Sequence, residues 1–154
     1  MLLYLVQHAE SLSKEEDPTQ SLSEKGIETI KKVAAYIVKL NIKVHQIFHS
    51  DKLRAMQTAQ ILADFIKAEK GVSETDGLSP MDDPQIWFER ISKENEDIML
   101  VGHLPHLAKL SSLLLCGDKE KNIIDFKRAG IVCLKRFEDG NWSVEWMIIP
   151  VYDS

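Results

Sequence analysis

Three short polar clusters in this chain each follow directly on an apolar run: Gln7-His8-Ala9-Glu10, His49-Ser50-Asp51-Lys52-Leu53-Arg54 and Gly102-His103-Leu104-Pro105-His106. A neutral imidazole is a nucleophile and proton carrier near pH 7, and a guanidinium grips an oxyanion through two parallel N–H bonds. In open α/β sheets, ligands bind beyond the carboxyl ends of the strands, where helix N-termini add further donors for an anion. Two histidines and one arginine converging there make an oxyanion site. Phosphate is the guest such a set fits, with His8, Arg54 and His103 at its centre.

The runs that carry the clusters read as buried strands. Leu2 to Val6 is almost continuous apolar sequence, the pattern of a strand covered on both faces. After a charged loop from Ser13 to Thr19, Ser21-Leu22-Ser23-Glu24 has the form of a capping box. It predicts a helix to about Leu40 with Ile27, Ile30, Ala34 and Ile37 on one stripe. Val44 to His49 reads as a second strand. Ser50 or Asp51 is placed to cap a helix carrying Leu53, Ala55, Ala59, Leu62, Ala63 and Ile66 as far as Lys70-Gly71, and an irregular stretch follows to Pro84. Gln85 to Asn95 predicts a short helix with Ile86, Phe88 and Ile91 apolar, Asp97 to Val101 a third buried strand, and the segment after Pro105 a helix ending at Cys116-Gly117. Ala129 to Phe137 and Trp142 to Ile149 flank Asp139-Gly140 as a hairpin, with Trp142, Val144, Trp146 and Ile148 alternating toward one packed face. Together these elements predict a three-layer α/β/α sandwich with a mainly parallel central sheet and a C-terminal antiparallel hairpin.

Composition narrows the function classes. A chain of 154 residues, 44% apolar and 28% charged, is sized for one domain over residues 1–154. A net charge of −5 gives no pull toward nucleic acid or an anionic bilayer, and no apolar run approaches the ~20 residues of a membrane helix. The apolar start is too short for a signal segment, and Cys116 and Cys133, without metal or redox spacing, are expected as reduced core thiols, so the expected compartment is the cytoplasm. No CxxC-type ligand spacing and no glycine-rich nucleotide motif occurs, so neither a metal nor a cofactor is expected. His45 and His106 read as structural histidines and the tryptophans as packing.

The segments Leu5-Val6-Gln7-His8-Ala9-Glu10, His49-Ser50-Asp51-Lys52-Leu53-Arg54-Ala55-Met56-Gln57-Thr58-Ala59 and Leu100-Val101-Gly102-His103-Leu104-Pro105-His106 resemble, in order and spacing, the three signature regions of the histidine phosphatase superfamily, which has the phosphoglycerate mutase-like fold. The Asp17-Pro18 loop leading into Leu22-Ser23-Glu24-Lys25-Gly26, and the approach Ile124-Asp125-Phe126-Lys127-Arg128-Ala129-Gly130 to the hairpin, resemble its short protein phosphohistidine phosphatase branch. The likeness runs over nearly the whole chain. It implies that His8 attacks phosphorus in line to give a phosphohistidine intermediate that water hydrolyses, while Arg54, a protonated His103 and groups around Gln7 hold the equatorial oxygens.

Two positions depart from that pattern. The superfamily usually carries an arginine immediately before the nucleophile, where this chain has Gln7, and Gln20 stands where related short phosphatases often have an arginine. An amide donates without charge assistance, which roughly halves the strength of the contact. Lys52 and Lys127 are the candidate replacement cations, each without the guanidinium fork.

The leaving group selects among substrates. An alkyl phosphate expels an alkoxide that needs an acid, for which Asp82, Asp83 and Glu10 are the candidates, whereas phosphohistidine expels a mildly basic imidazole. The expected substrate is therefore phosphohistidine in a phosphorylated protein. A small phosphate ester is the alternative within the same chemistry. A non-catalytic phosphate-binding module, motivated by Gln7 and Gln20, is the alternative from another class. Periodicity leaves a monomer and a weak dimer both open.

Overall fold

Leu3 and Leu5 point to one side of the first strand and Tyr4 and Val6 to the other, and none is more than 4% exposed, so this strand lies inside a sheet covered on both faces. The computed structural model describes residues 1–151. In chain order its elements are β1 (Leu2–Gln7), α1 (Glu24–Val38), β2 (Lys43–Val44), β3 (Gln46–His49), α2 (Leu53–Ala63), β4 (Lys67–Ala68), β5 (Val72–Glu74), α3 (Pro84–Ser92), β6 (Ile98–Gly102), α4 (His106–Cys116), β7 (Ile131–Arg136) and β8 (Trp142–Ile148). Six strands form one sheet in the order β5-β3-β6-β1-β7-β8, parallel from β5 to β1 and antiparallel through β7 and β8.

Helices cover both faces. Ile30, Val33, Ala34 and Ile37 of α1 and Ala55, Ala59 and Leu62 of α2 pack with Tyr4, Val6, Ile47, Met99 and Val101 on one side. Trp87 and Ile91 of α3 and Leu107, Leu110 and Leu114 of α4 pack with Leu3, Leu5, Ile98 and Leu100 on the other. This is the three-layer α/β/α architecture expected from the sequence. Because each helix buries only a stripe, the layers are held by matched apolar faces rather than by ion pairs.

Several local expectations need correction. The cap of α1 is Ser23, whose hydroxyl accepts from Gly26 N–H at 3.0 Å, and Ser21 instead bonds to the Asp17 carboxylate. Neither Ser50 nor Asp51 is the N-cap of α2, which is Lys52 without a side-chain cap bond. The same helix stops at Ala63 rather than at Lys70, because the chain tightens through Phe65 and Ile66 onto the Leu62 carbonyl and then forms β4 against β2. Ile66 keeps helical spacing only because that turn also buries it. The stretch before Pro84 contains β5, two half-buried residues and an exposed Glu74, which no periodicity marks. On α3 the buried positions are Pro84, Trp87 and Ile91, with Ile86 exposed. Cys133 is a core thiol but Cys116 is exposed.

The hairpin differs in one informative way. A register shift between Cys133 and Leu134 pairs Cys133 with Trp146 and Leu134 with Val144, which leaves Glu145 as the extra residue. The alternation is thereby split: Trp146 and Ile148 pack on the α1 side, while Trp142 packs on the α3 side. A bulge reverses facing without changing the sequence spacing.

Candidate active site

Sheet register brings the polar clusters together. β1 and β6 run parallel with Gln7 beside Gly102, and β3 pairs with β6 with His49 beside Val101, so His8, His103 and Ser50 leave three neighbouring strands at one level. His8 N–H donates to the Gly102 carbonyl at 3.0 Å and Ser50 N–H to the Val101 carbonyl at 3.3 Å, which extends the ladder up to the chemistry. The imidazoles of His8 and His103 lie 5.0 Å apart between centroids, tilted by 53°.

His8 Nδ1 is 2.7 Å from the carbonyl oxygen of Ala9, an acceptor only, so Nδ1 carries the ring proton and Nε2 keeps its lone pair. Burial lowers the pKa of His8 to about 4, with Arg54 and Arg128 adding to the effect, so the ring is neutral at pH 7. The Ala9 loop is itself fixed. Ala9 N–H donates to Thr58 Oγ1 at 3.1 Å, and the same hydroxyl donates to the Arg54 carbonyl at 2.8 Å, tying the segment after β1 to the first turn of α2.

His103 is almost wholly buried, and its Nε2 lies 2.6 Å from Ser50 Oγ. Ser50 Oγ accepts from Lys52 N–H at 3.3 Å, so its own proton is free to donate to Nε2. Nδ1 of His103 is buried and has no partner among the described residues. Burial, then His8, Arg54 and Lys52, hold the pKa of His103 at about 3. His103 is therefore neutral in the free site, whereas the resemblance implies a protonated ring when phosphoryl oxygens are present.

The other candidates divide. Arg54 sits in the first turn of α2 and exerts its field on both histidines, as Lys52 does on His103. Gln7 ends β1 half-buried, with its Oε1 enclosed and unpartnered among the described residues. Lys127 is drawn to Asp125 at 2.9 Å. The proposed acids are engaged elsewhere: Asp82 accepts from Ser79 N–H at 3.0 Å, Asp83 caps α3 through Gln85 N–H at 3.0 Å, and Glu10 accepts from Ser23 Oγ at 2.9 Å. Among the described residues no group of three or more histidine, cysteine, aspartate or glutamate side chains is arranged to hold a metal ion. Sequence reading missed Ser50 and Thr58 as supports, since a hydroxyl that bonds across about fifty residues leaves no local pattern. Volume does not mark the site either: a cleft of about 650 Å³ at the amino ends of β1 and β6 contains no histidine or arginine.

Residues 3–82 match the family model described as the histidine phosphatase superfamily, branch 1. The chain belongs to the histidine phosphatase superfamily. An uncharacterized protein of Picosynechococcus sp. is 32% identical over 144 residues, spanning 88% of this chain and 85% of that one. Among solved structures, the protein histidine phosphatase SixA complexed with tungstate superposes with a TM-score of 0.82 at 20% identity over 96% of each chain. A putative phosphohistidine phosphatase SixA from Agrobacterium tumefaciens gives 0.76 at 18% over 97% of each. A phosphoserine phosphatase from Entamoeba histolytica gives 0.70 at 18% over 96% of each. These likenesses establish the fold of a histidine phosphatase, and superfamily membership makes the chain a phosphatase. Among the described residues no helix is long and apolar enough to cross a membrane.

The histidines of this phosphatase also make its stability depend on pH. His106 is fully buried with both ring nitrogens unpartnered among the described residues, and burial lowers its pKa to about 4. Below the ordinary value of 6.5 the unfolded chain takes up protons that folded His8, His103 and His106 refuse until pH 4 or 3. The unfolded state then binds more protons, so stability is full above pH 6.5 and falls through that window, by an amount on the order of several kcal/mol for the three rings. Urea unfolding at pH 7 and 4.5 measures the loss. His106→Leu is expected to remove about a third of it at no cost at pH 7; an identical loss in this variant would contradict the assignment.

Proposed function

We propose that the chain is a metal-independent phosphohistidine phosphatase acting on phosphorylated proteins, with His8 as nucleophile. One observation carries the reading: the Nδ1 bond to the Ala9 carbonyl leaves Nε2 unprotonated in a ring whose pKa is held at about 4. Nε2 attacks phosphorus as the P–N bond to the substrate imidazole breaks; with the substrate ring protonated on its distal nitrogen, the leaving group departs as neutral imidazole and keeps that proton. Water then cleaves the phospho-His8 bond to release inorganic phosphate. Arg54 and His103 hold the equatorial oxygens as charge spreads over them.

The substrate class follows from the acids. Asp82, Asp83 and Glu10 each have one oxygen tied in a structural hydrogen bond, which disfavours them as the acid that an alkoxide requires. Phosphohistidine protonated on its distal nitrogen releases neutral imidazole, a leaving group of moderate basicity that needs no such acid. The SixA proteins among its structural neighbours are described as histidine or phosphohistidine phosphatases, which agrees with this reading, while the phosphoserine phosphatase keeps the ester alternative in view. The deciding experiment compares kcat/KM on a phosphohistidine-bearing protein with that on small phosphomonoesters. A preference of at least about a hundredfold for phosphohistidine is expected, the scale of one well-placed catalytic group. Faster turnover of the esters rejects the substrate assignment while leaving the nucleophile in place.

A further inference from the structure

The turn leading into β7 is built against the end of β1. Ala129 N–H donates to the Gln7 carbonyl at 3.0 Å and lies 3.4 Å from that of His8. Ala129 is buried and takes a φ of 63°, a left-handed conformation that a residue with a Cβ enters under constraint. At Gly130 a Cβ would stand 2.9 Å from the Lys127 carbonyl oxygen and 3.1 Å from that of Ile148, so the turn admits no side chain there. Between Lys127, drawn to Asp125, and these two backbone-locked positions stands Arg128.

Arg128 Nη2 lies 3.7 Å from Oε2 of Glu10, two residues beyond His8, and its side chain is about half exposed. The other oxygen of Glu10 is anchored by Ser23 Oγ at 2.9 Å. In the sheet, β3 and β7 lie on opposite sides of β1, so Arg54, which follows β3, and Arg128, which precedes β7, approach His8 from opposite flanks. Both guanidiniums lower the pKa of His8.

We propose that Arg128 is the second guanidinium of the phosphate site, held at its rim by Glu10 and transferred to a phosphate oxygen when substrate binds. The inference rests on the reading of His8 as the phosphate-accepting residue. Chemistry favours the exchange. A half-exposed ion pair at 3.7 Å is loose and screened by solvent, whereas a phosphate offers the planar fork two oxygens at matched spacing. With glutamine at position 7, a site served by Arg54 alone would hold a dianion from one flank only.

The test is calorimetric titration of inorganic phosphate into the full chain and its variants. Arg128→Ala is expected to weaken phosphate binding at least tenfold, as is Arg54→Ala. Lys135→Ala, a cation of β7 that lies over Phe137, changes it less than twofold and controls for general charge loss. Binding by Arg128→Ala within twofold of the parent, with Arg54→Ala impaired, overturns the inference and leaves the proposed function standing. Unchanged binding in both variants removes the phosphate site itself. Should Arg128→Ala fail to fold, Arg128→Gln keeps the stem and removes the charge, and the same limits apply.

Discussion

Replacing His8 with alanine is expected to lower kcat/KM on a phosphohistidine protein by roughly 10⁴-fold or more, the loss seen when a covalent nucleophile is removed, while the chain stays folded. The argument is local. Nε2 is the group that forms the bond to phosphorus, and no neighbouring side chain can replace it: His103 spends its Nε2 on Ser50, and Arg54 stays protonated. Rapid-quench labelling gives a second readout, with acid-labile, base-stable phosphate on the parent chain and none on the variant. Acid stability gives a third, since the variant also loses one of the rings that resist protonation. A variant that turned over at the parent rate would end the proposal.

Gly26→Ala is expected to be the most damaging single-methyl change. The new Cβ would meet the Glu10 carbonyl oxygen at 2.1 Å, and the obstacle is backbone rather than a movable side chain. That carbonyl already accepts Ser23 N–H at 3.0 Å, so α1 is seated directly against the segment after β1. Relief requires the backbone of Glu10 to move, its carbonyl first and then the amide nitrogen bonded to the Ala9 carbonyl carbon, at a cost of about 3 kcal/mol on the scale of overpacked interiors. Because Ala9 supplies the acceptor that sets the His8 tautomer, activity should fall further than the lost stability alone explains. Denaturation midpoints together with kcat at a temperature where the variant is fully folded separate the two effects. A variant within 1 kcal/mol of the parent would contradict the close approach.

Much of this was legible in the residue order. Leu2–Gln7 and Ile98–Gly102 announce themselves because strands covered on both faces need continuous apolar sequence, and the polar residues after them can only lie at a sheet edge. His8 and His103 follow from that reasoning, and Arg54 is singled out by the resemblance of its segment to a signature region. Val72–Glu74 did not, because a three-residue edge strand buries too little to leave a pattern. The choice between Ser21 and Ser23 as helix cap turned on Asp17, which claims the first of them through tertiary geometry. The bulge at Glu145 was hidden because one added residue changes facing and not spacing. Arg128 was passed over in favour of Lys127, although a signal existed: a strand antiparallel to β1 must begin where β1 ends, so the residues before β7 border the nucleophile.

The bond between the His8 ring and the carbonyl of the next residue means that the reactive centre is assembled within a single dipeptide. Which ring nitrogen faces outward unprotonated is thereby decided by the adjacent backbone, so a change of side chain elsewhere in the pocket leaves that choice intact.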